Sequence, residues 1–225
     1  MTKLLLLSLL NLVVGSVMLG VLLFLSADTL DYWQAWVFIV VFSAAGNGIG
    51  IYLSIKDPAL LERRKNIHPE AKSSPAQKVI GALVVVGVLA LLIVPAVDRR
   101  FGWSSMPAWV SVLGELLVVL SFVMFYFVFR ENRFGGPVEV VEGQQVISTG
   151  PYAIVRHPMY SGVVVMCAGA MLALGSWWAL LVIVLMQFPV LAWRILDEEA
   201  LLKKELPGYT DYMCKVRYRL VPRVW

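Results

Sequence analysis

Six long apolar runs constrain this chain more than any other feature of it. A helix that crosses the hydrocarbon core of a bilayer needs about 20 mostly apolar residues, and residues 4–25, 33–55, 79–97, 108–129, 159–174 and 177–193 come close to or exceed that length. No water is present at that depth to satisfy backbone N–H and C=O groups, so such runs must be helical. Composition agrees, with 60% apolar and 15% charged residues, against about a quarter charged in soluble domains. The expected fold is all-α: a polytopic bundle of six membrane helices. Only Gly175 and Ser176 separate the last two, which are therefore expected to form a helical hairpin. No Ser/Gly-rich linker or charge block divides the chain, so 1–225 is read as one domain, with four helices in 1–130. The first run is too long for the 7–15-residue core of a signal peptide and is read as a membrane helix.

Lysine and arginine mark the inside, because positively charged loops stay cytoplasmic. Lys56, Arg63, Arg64, Lys65 and Lys72 follow the second run, and Arg194, Lys203, Lys204, Lys215, Arg217, Arg219 and Arg223 follow the sixth. Both termini are thus expected in the cytoplasm. The opposite loops are short, and Trp33, Trp36, Trp103, Trp109, Trp177 and Trp178 flank them, as amphipathic rings do at the headgroup layer. Residues 130–158 and 194–225 then share the cytoplasmic face.

Most of the polar chemistry gathers there. In the stretch GPYAIVRHPMY, Pro158 suits the first turn of a helix and His157 its cap. The N–H groups at such a helix start favour a carboxylate or another acceptor. Taken alone, Arg156 and His157 are equally well read as membrane anchors, with Tyr152 and Tyr160 as interface aromatics. In WRILDEEALLKKELPGYTDYM, Arg194 and Glu198 stand one helical turn apart on one face. Simple ion pairs, Arg194 with Glu198 and Glu199 with Lys203, are the plainer reading. A hairpin that returns to its starting side would bring Arg194 and Glu198 near His157 and Tyr160.

The combination of GPYAIVRHPMYSG, WRILDEEALL and GYTDYMCKVRYRL resembles the isoprenylcysteine carboxyl methyltransferase family of integral membrane enzymes, within the wider group that includes phospholipid N-methyltransferases. The likeness covers roughly the last 90 residues, so 131–225 is expected to be the catalytic, cofactor-binding region. It implies S-adenosylmethionine as cofactor, lined by Tyr152, His157, Pro158, Met159 and Tyr160. It puts Glu198, in an Arg-x-x-x-Glu-Glu pattern that continues into Glu199, against the same cofactor, and Arg194 at the acceptor. Gln144, Gln145, Val146 and Ile147 stand where the family has a strand-like loop touching the cofactor, although the first of these positions is commonly histidine.

The residue types suit that chemistry. A sulfonium cation carrying an adenosyl group and an amino-acid head calls for aromatic faces, a carboxylate and backbone donors. A carboxylate acceptor is already ionised at neutral pH, so alignment and desolvation are the main requirements, and Arg194 can grip it with two nitrogens. An amine acceptor must first lose a proton to Glu198, Glu199 or His157. The expected activity is carboxyl O-methylation of a lipid-like or lipidated acceptor at the cytoplasmic face. The alternatives are a phospholipid-type N-methyltransferase, an NADPH-dependent reductase of the sterol type, and a non-catalytic membrane protein. Membrane lipids are expected partners and nucleic acid is not.

Other features are set aside. The glycines of NGIGIY lie inside a run and suit close helix packing. Glu115 is an intramembrane acid on the side away from the cofactor mouth. Asn11, Asn47 and Gln187 are read as interhelical hydrogen-bonding groups, and Leu60 and Leu61 as lying on the bilayer surface. Tyr209 and Tyr212 are read equally as a cover over the cofactor and as interface anchors. Cys167 and Cys214 lack the spacing of a metal or redox motif, and His68 has no companion ligand, so no metal is expected.

Overall fold

The computed structural model describes residues 2–56, 75–132 and 144–225, without the side chains of 2–9, 11 and 54. The readings made for Leu60, Leu61, His68 and the side chain of Asn11, together with the basic residues of 57–74, lie outside the described residues.

The described chain is helical and contains no strand. Its helices are α1 (Thr2–Ala27), α2 (Trp33–Lys56), α3 (Pro75–Phe101), α4 (Ala108–Glu131), α5 (Pro158–Ala173), α6 (Ala179–Glu205) and α7 (Tyr209–Lys215). Within α6, Ile183–Gln187 form a π turn. Among the described residues, four helices are long and apolar enough to cross a membrane: α2, α3, α4 and α6. Of the other two expected spans, α1 runs over 26 residues, Thr2–Ala27, and α5 is shorter, with 16 residues, about 24 Å at 1.5 Å per residue. The outward faces carry exposed apolar side chains along their length, for example Val112, Leu113, Leu116, Val119 and Leu120 on α4. A continuous apolar exterior of this kind suits lipid rather than water.

The closest helix pair differs from the hairpin expected between α5 and α6. α5 lies tightest against α4, because Gly114 and Gly169 remove the side chains at their crossing. A Cβ on Gly114 would collide with the Ala173 backbone nitrogen, and one on Gly169 would lie 2.9 Å from that of Val118. Small residues allow such backbone approach inside a membrane. α6 leans instead on α3, where Gly87 makes room for the Gln187 side chain. The core, which includes Phe38, Leu91, Val118, Cys167, Leu174 and Ile183, draws on every helix from α1 to α6.

One end of the bundle is closed by a buried acid. Asp98, 1% exposed, accepts bonds from the Ser104 backbone (2.7 Å), the Ser104 hydroxyl and the Ser176 hydroxyl, and the Tyr32 hydroxyl donates to Leu174 O at 2.6 Å. Trp103 and Trp178 meet edge to face at this end. Arg99 and Arg100, the basic residues of the Trp-flanked loops, face Asp31 and Asp28. Asn47 does not bridge helices: its side chain donates to Ser43 O on the preceding turn of α2.

Candidate functional site

At the opposite end, residues 149–160 form a turn pinned from both sides. Gly150 has φ +56, and a Cβ there would lie 2.7 Å from the Glu131 side chain at the end of α4, so glycine is required on both counts. A short 3₁₀ turn follows at Gly150–Ala153. His157 then takes the cap position of α5 with Pro158 behind it in the first turn. The backbone N–H groups of Arg156 and His157 donate to Tyr218 O and Arg219 O, both at 2.9 Å, and the Ser161 hydroxyl donates to Leu220 O at 2.6 Å. The C-terminal segment is thereby laid across the start of α5.

Behind this turn lies a buried cluster of charges. Glu199 is 2% exposed and receives Arg156 Nε at 2.8 Å, His157 Nε2 at 3.3 Å and Arg219 Nε at 3.1 Å. Arg156 also donates to Val216 O and Arg217 O. At 27 residues, α6 is about 40 Å long and exceeds the ~30 Å hydrocarbon thickness, so its charged turns from Arg194 onward extend beyond the apolar layer. Burial opposes ionisation of Glu199, but the hydrogen bonds from His157 and Arg156 and their charge outweigh it and hold the carboxyl down at about 2. Glu199 is thus an anion whose two oxygens are committed to protein partners.

Glu198 points the other way. Tyr160 OH donates to Glu198 Oε2 at 2.7 Å and accepts from Arg194 Nε at 2.7 Å. The Arg194 guanidinium lies 5.9 Å from the centroid of the Tyr160 ring, which in turn stacks on His157 with centroids 5.7 Å apart. Among the described residues, the terminal nitrogens of Arg194 and the second oxygen of Glu198 have no partner, so a cation and an anion are presented side by side. Tyr160 and Arg194 also border a cavity of about 280 Å³ whose walls are apolar side chains of α3, α5 and α6, among them Val88, Val164, Cys167, Phe188 and Leu191. Glu115 does not border it; that carboxyl is buried on α4, and both its oxygens lack partners among the described residues.

The loop at 144–147 runs beside the C-terminal helix. Val146 packs against Leu206, Tyr209, Tyr212 and Val216, and residues 144–148 have no regular secondary structure. The Tyr212 hydroxyl donates to Tyr152 O at 2.7 Å, and Asn132 donates to the Tyr152 hydroxyl at 2.9 Å. Burial pushes the phenols of Tyr209 and Tyr212 above their ordinary range, so both remain neutral donors. The Tyr209 hydroxyl is buried without a partner among the described residues and lies within electrostatic reach of Glu199, Arg156 and Glu198. Tyr152, His157, Pro158, Met159, Tyr160, Arg194, Glu198, Glu199 and 144–147 therefore gather at one end of the bundle in two layers. Arg194 and Tyr160 line the cavity, with Glu198 bonded to Tyr160 beside them, whereas His157 and Glu199 form the support behind.

Sequence reasoning passed over three contributors. Arg156 was visible beside His157, but nothing in the pattern told a buried ion-pair partner from a membrane anchor. Arg219 and the tail carbonyls reach the cluster through pairing that has no local signature. Gln187, expected to bridge helices, lines the cavity instead, and its amide nitrogen is buried without a partner among the described residues.

Residues 109–207 match the model of the phospholipid methyltransferase family, a span of less than half of the 225-residue chain. It runs from the start of α4 through the whole of α6 and includes every predicted site residue. The match supports a membrane methyltransferase. Among curated proteins, none matches the chain.

Proposed function

We propose that this protein is an integral membrane methyltransferase that transfers a methyl group from S-adenosylmethionine to the polar head of a membrane-embedded amphiphile. The observation that carries the reading is the Arg194–Tyr160–Glu198 chain at the mouth of an apolar cavity, inside the segment that matches a methyltransferase family. Polar groups at the mouth and apolar walls behind them suit a molecule with a charged head and a greasy tail.

The residues present fit the cofactor. Its ammonium group needs a carboxylate with a free oxygen, which Glu198 has, and its sulfonium favours aromatic faces such as Tyr160. The orphaned Tyr209 hydroxyl, beside the 144–147 loop, is a donor in want of an acceptor. S-adenosylmethionine, when bound, supplies the methyl group as an electrophile. Arg194 then holds the anionic part of the acceptor with its two terminal nitrogens, oriented by the bond from Nε to Tyr160. The Glu199 cluster fixes the start of α5 and with it Tyr160, so the head groups meet a preorganised frame.

For a carboxylate acceptor, our first reading, no proton needs to be removed and the apolar walls exclude water from the reacting groups. The family match favours a second reading, a phospholipid amine. In that case Arg194 takes the phosphate and Glu198 accepts the proton from the amine. The six-span arrangement, with the site on the cytoplasmic face, belongs to the same proposal and rests on the distribution of lysine and arginine.

The test uses full-length protein in lipid nanodiscs. Calorimetry should detect saturable binding of S-adenosylmethionine and S-adenosylhomocysteine but not of NADPH. Isotope-labelled methyl transfer to long-chain carboxylates and to phosphatidylethanolamine then separates the two readings, because a methyl ester is released by mild base and an N-methyl group is not. Binding of NADPH alone would replace the methyltransferase with a reductase, and binding of none of the three would leave a non-catalytic protein.

A further inference from the structure

The segment laid across the start of α5 folds into a turn whose surface is both apolar and cationic. Arg219 N and Leu220 N donate to Trp225 O at 2.8 and 3.0 Å, and Val224 N and Trp225 N donate to Val221 O at 3.1 and 3.2 Å. Arg223 closes the turn with φ +67, a conformation uncommon outside glycine. The turn holds apolar side chains outward: Val224 is 78% exposed and Val221 45%. Ile154, two residues before the Arg156 N–H that bonds Tyr218 O, is 60% exposed. Arg217 and Arg223 are exposed beside them and, among the described residues, neither has an acid within ion-pair distance. Arg219, between them, is held by Glu199 and lies over the Trp225 ring at 5.2 Å.

Helix length sets the level of this turn. His157 N bonds Arg219 O and the Ser161 hydroxyl bonds Leu220 O, so residues 218–220 lie beside the first turn of α5. With 16 residues, α5 is about 24 Å long, whereas the hydrocarbon core is ~30 Å thick. Trp177 and Trp178 follow just past its far end. A helix short by roughly 6 Å draws the elements at its start into the bilayer surface. The turn is therefore level with the lipid headgroups. In that layer alkyl groups enter the acyl chains while guanidinium groups meet phosphates.

We propose that Ile154, Val221 and Val224, together with Arg217 and Arg223, form a docking surface for the anionic phospholipids of the membrane that the helices span. Charge and depth select the occupant together. Two unpaired guanidinium groups call for an anion, and three exposed apolar side chains at the same level call for one that carries acyl chains. A soluble phosphate would satisfy the arginines and leave Val221 and Val224 in water. None of these residues borders the cavity between α3, α5 and α6, so the surface is independent of the reaction assigned to that cavity.

The test uses full-length protein in nanodiscs of mixed phosphatidylcholine and phosphatidylglycerol, with the lipids that stay bound after extraction identified by native mass spectrometry. Wild type should retain phosphatidylglycerol over phosphatidylcholine. Arg217→Gln combined with Arg223→Gln should lower that preference by roughly fivefold for each cation removed, about 25-fold in all. Lys203→Gln with Lys204→Gln, which removes two exposed cations at the end of α6, should leave it nearly unchanged. Depth is read separately from a nitroxide on Val224→Cys in a Cys214→Ser background, where the remaining Cys167 is buried. Dissolved oxygen should reach this label more readily than a water-soluble nickel chelate does, a result that does not depend on the arginine variants folding. Equal loss of preference in the two double variants would reduce the effect to diffuse charge and overturn the docking surface. A label reached mainly by the chelate would also overturn it, as would displacement of phosphatidylglycerol by inorganic phosphate, which would make the occupant a soluble anion.

Discussion

Replacing Glu199 with alanine would remove the anion from a site where two arginines and a histidine converge on it. Arg156, itself buried, keeps only its bonds to the carbonyls of Val216 and Arg217, while Arg219 and His157 lose their carboxylate. Breaking a buried ion pair from one side costs about 3–5 kcal/mol, because the remaining charge stays desolvated. Glu199→Gln keeps the shape and one acceptor and should cost about half of that. A dependence on pH accompanies the loss. The carboxyl is held at about 2 in the folded protein against an ordinary value of 4.5, so between these values the unfolded chain binds the proton more readily. The contribution of Glu199 is therefore fully present above about pH 4.5 and is lost as pH falls towards 2. Reversible unfolding in mixed micelles, followed from pH 7 to pH 2.5 for wild type and Glu199→Gln, isolates this group, since other carboxyls titrate in both proteins. The linkage loss of roughly 2–3 kcal/mol across that acid range is as large as the difference itself, which should therefore fall to near zero. A difference that stays constant with pH, or an alanine variant as stable as wild type, would refute the assignment of Glu199 as the anchor of the turn. Faster hydrogen exchange at 216–220 in the variant would locate the damage in the tail.

Two further outcomes follow from other parts of the molecule. Arg194→Lys keeps the charge but loses the Nε bond to Tyr160 and the paired terminal nitrogens; kcat/KM for the methyl acceptor should fall about 100-fold, with S-adenosylhomocysteine binding changed much less, as measured by calorimetry. Gly114→Ala forces apart the α4–α5 crossing and should lower stability by about 1–3 kcal/mol or more, read as a drop in the thermal unfolding midpoint, whereas alanine at Gly48, which meets nothing within 4 Å, should leave that midpoint nearly unchanged.

The membrane character of the chain was legible in its apolar runs, because the absence of water leaves a helix as the only way to satisfy the backbone of such a segment. The cap at His157, the proline behind it and the shared face of Arg194 and Glu198 were legible for a similar reason: each depends on helix geometry over a few residues. Adjacent residues such as Glu198 and Glu199 differ by about 100° around a helix, but periodicity does not say which direction faces a ligand. Packing decides that: α5 and the C-terminal segment cover the Glu199 side and leave Glu198 with Tyr160 and Arg194. The same holds for Arg156, whose partners lie 43 to 61 residues away in the sequence, and for Gln187, whose direction is set by a π turn that shifts the helical phase. The sequence by itself determined the solvent, the helices and the inventory of reactive side chains, all consequences of local composition and spacing. Which acid is buried as an anchor, which one bonds Tyr160 beside the cavity and which glutamine lines its wall were decided only by tertiary structure, because those roles depend on contacts between segments that share no local pattern.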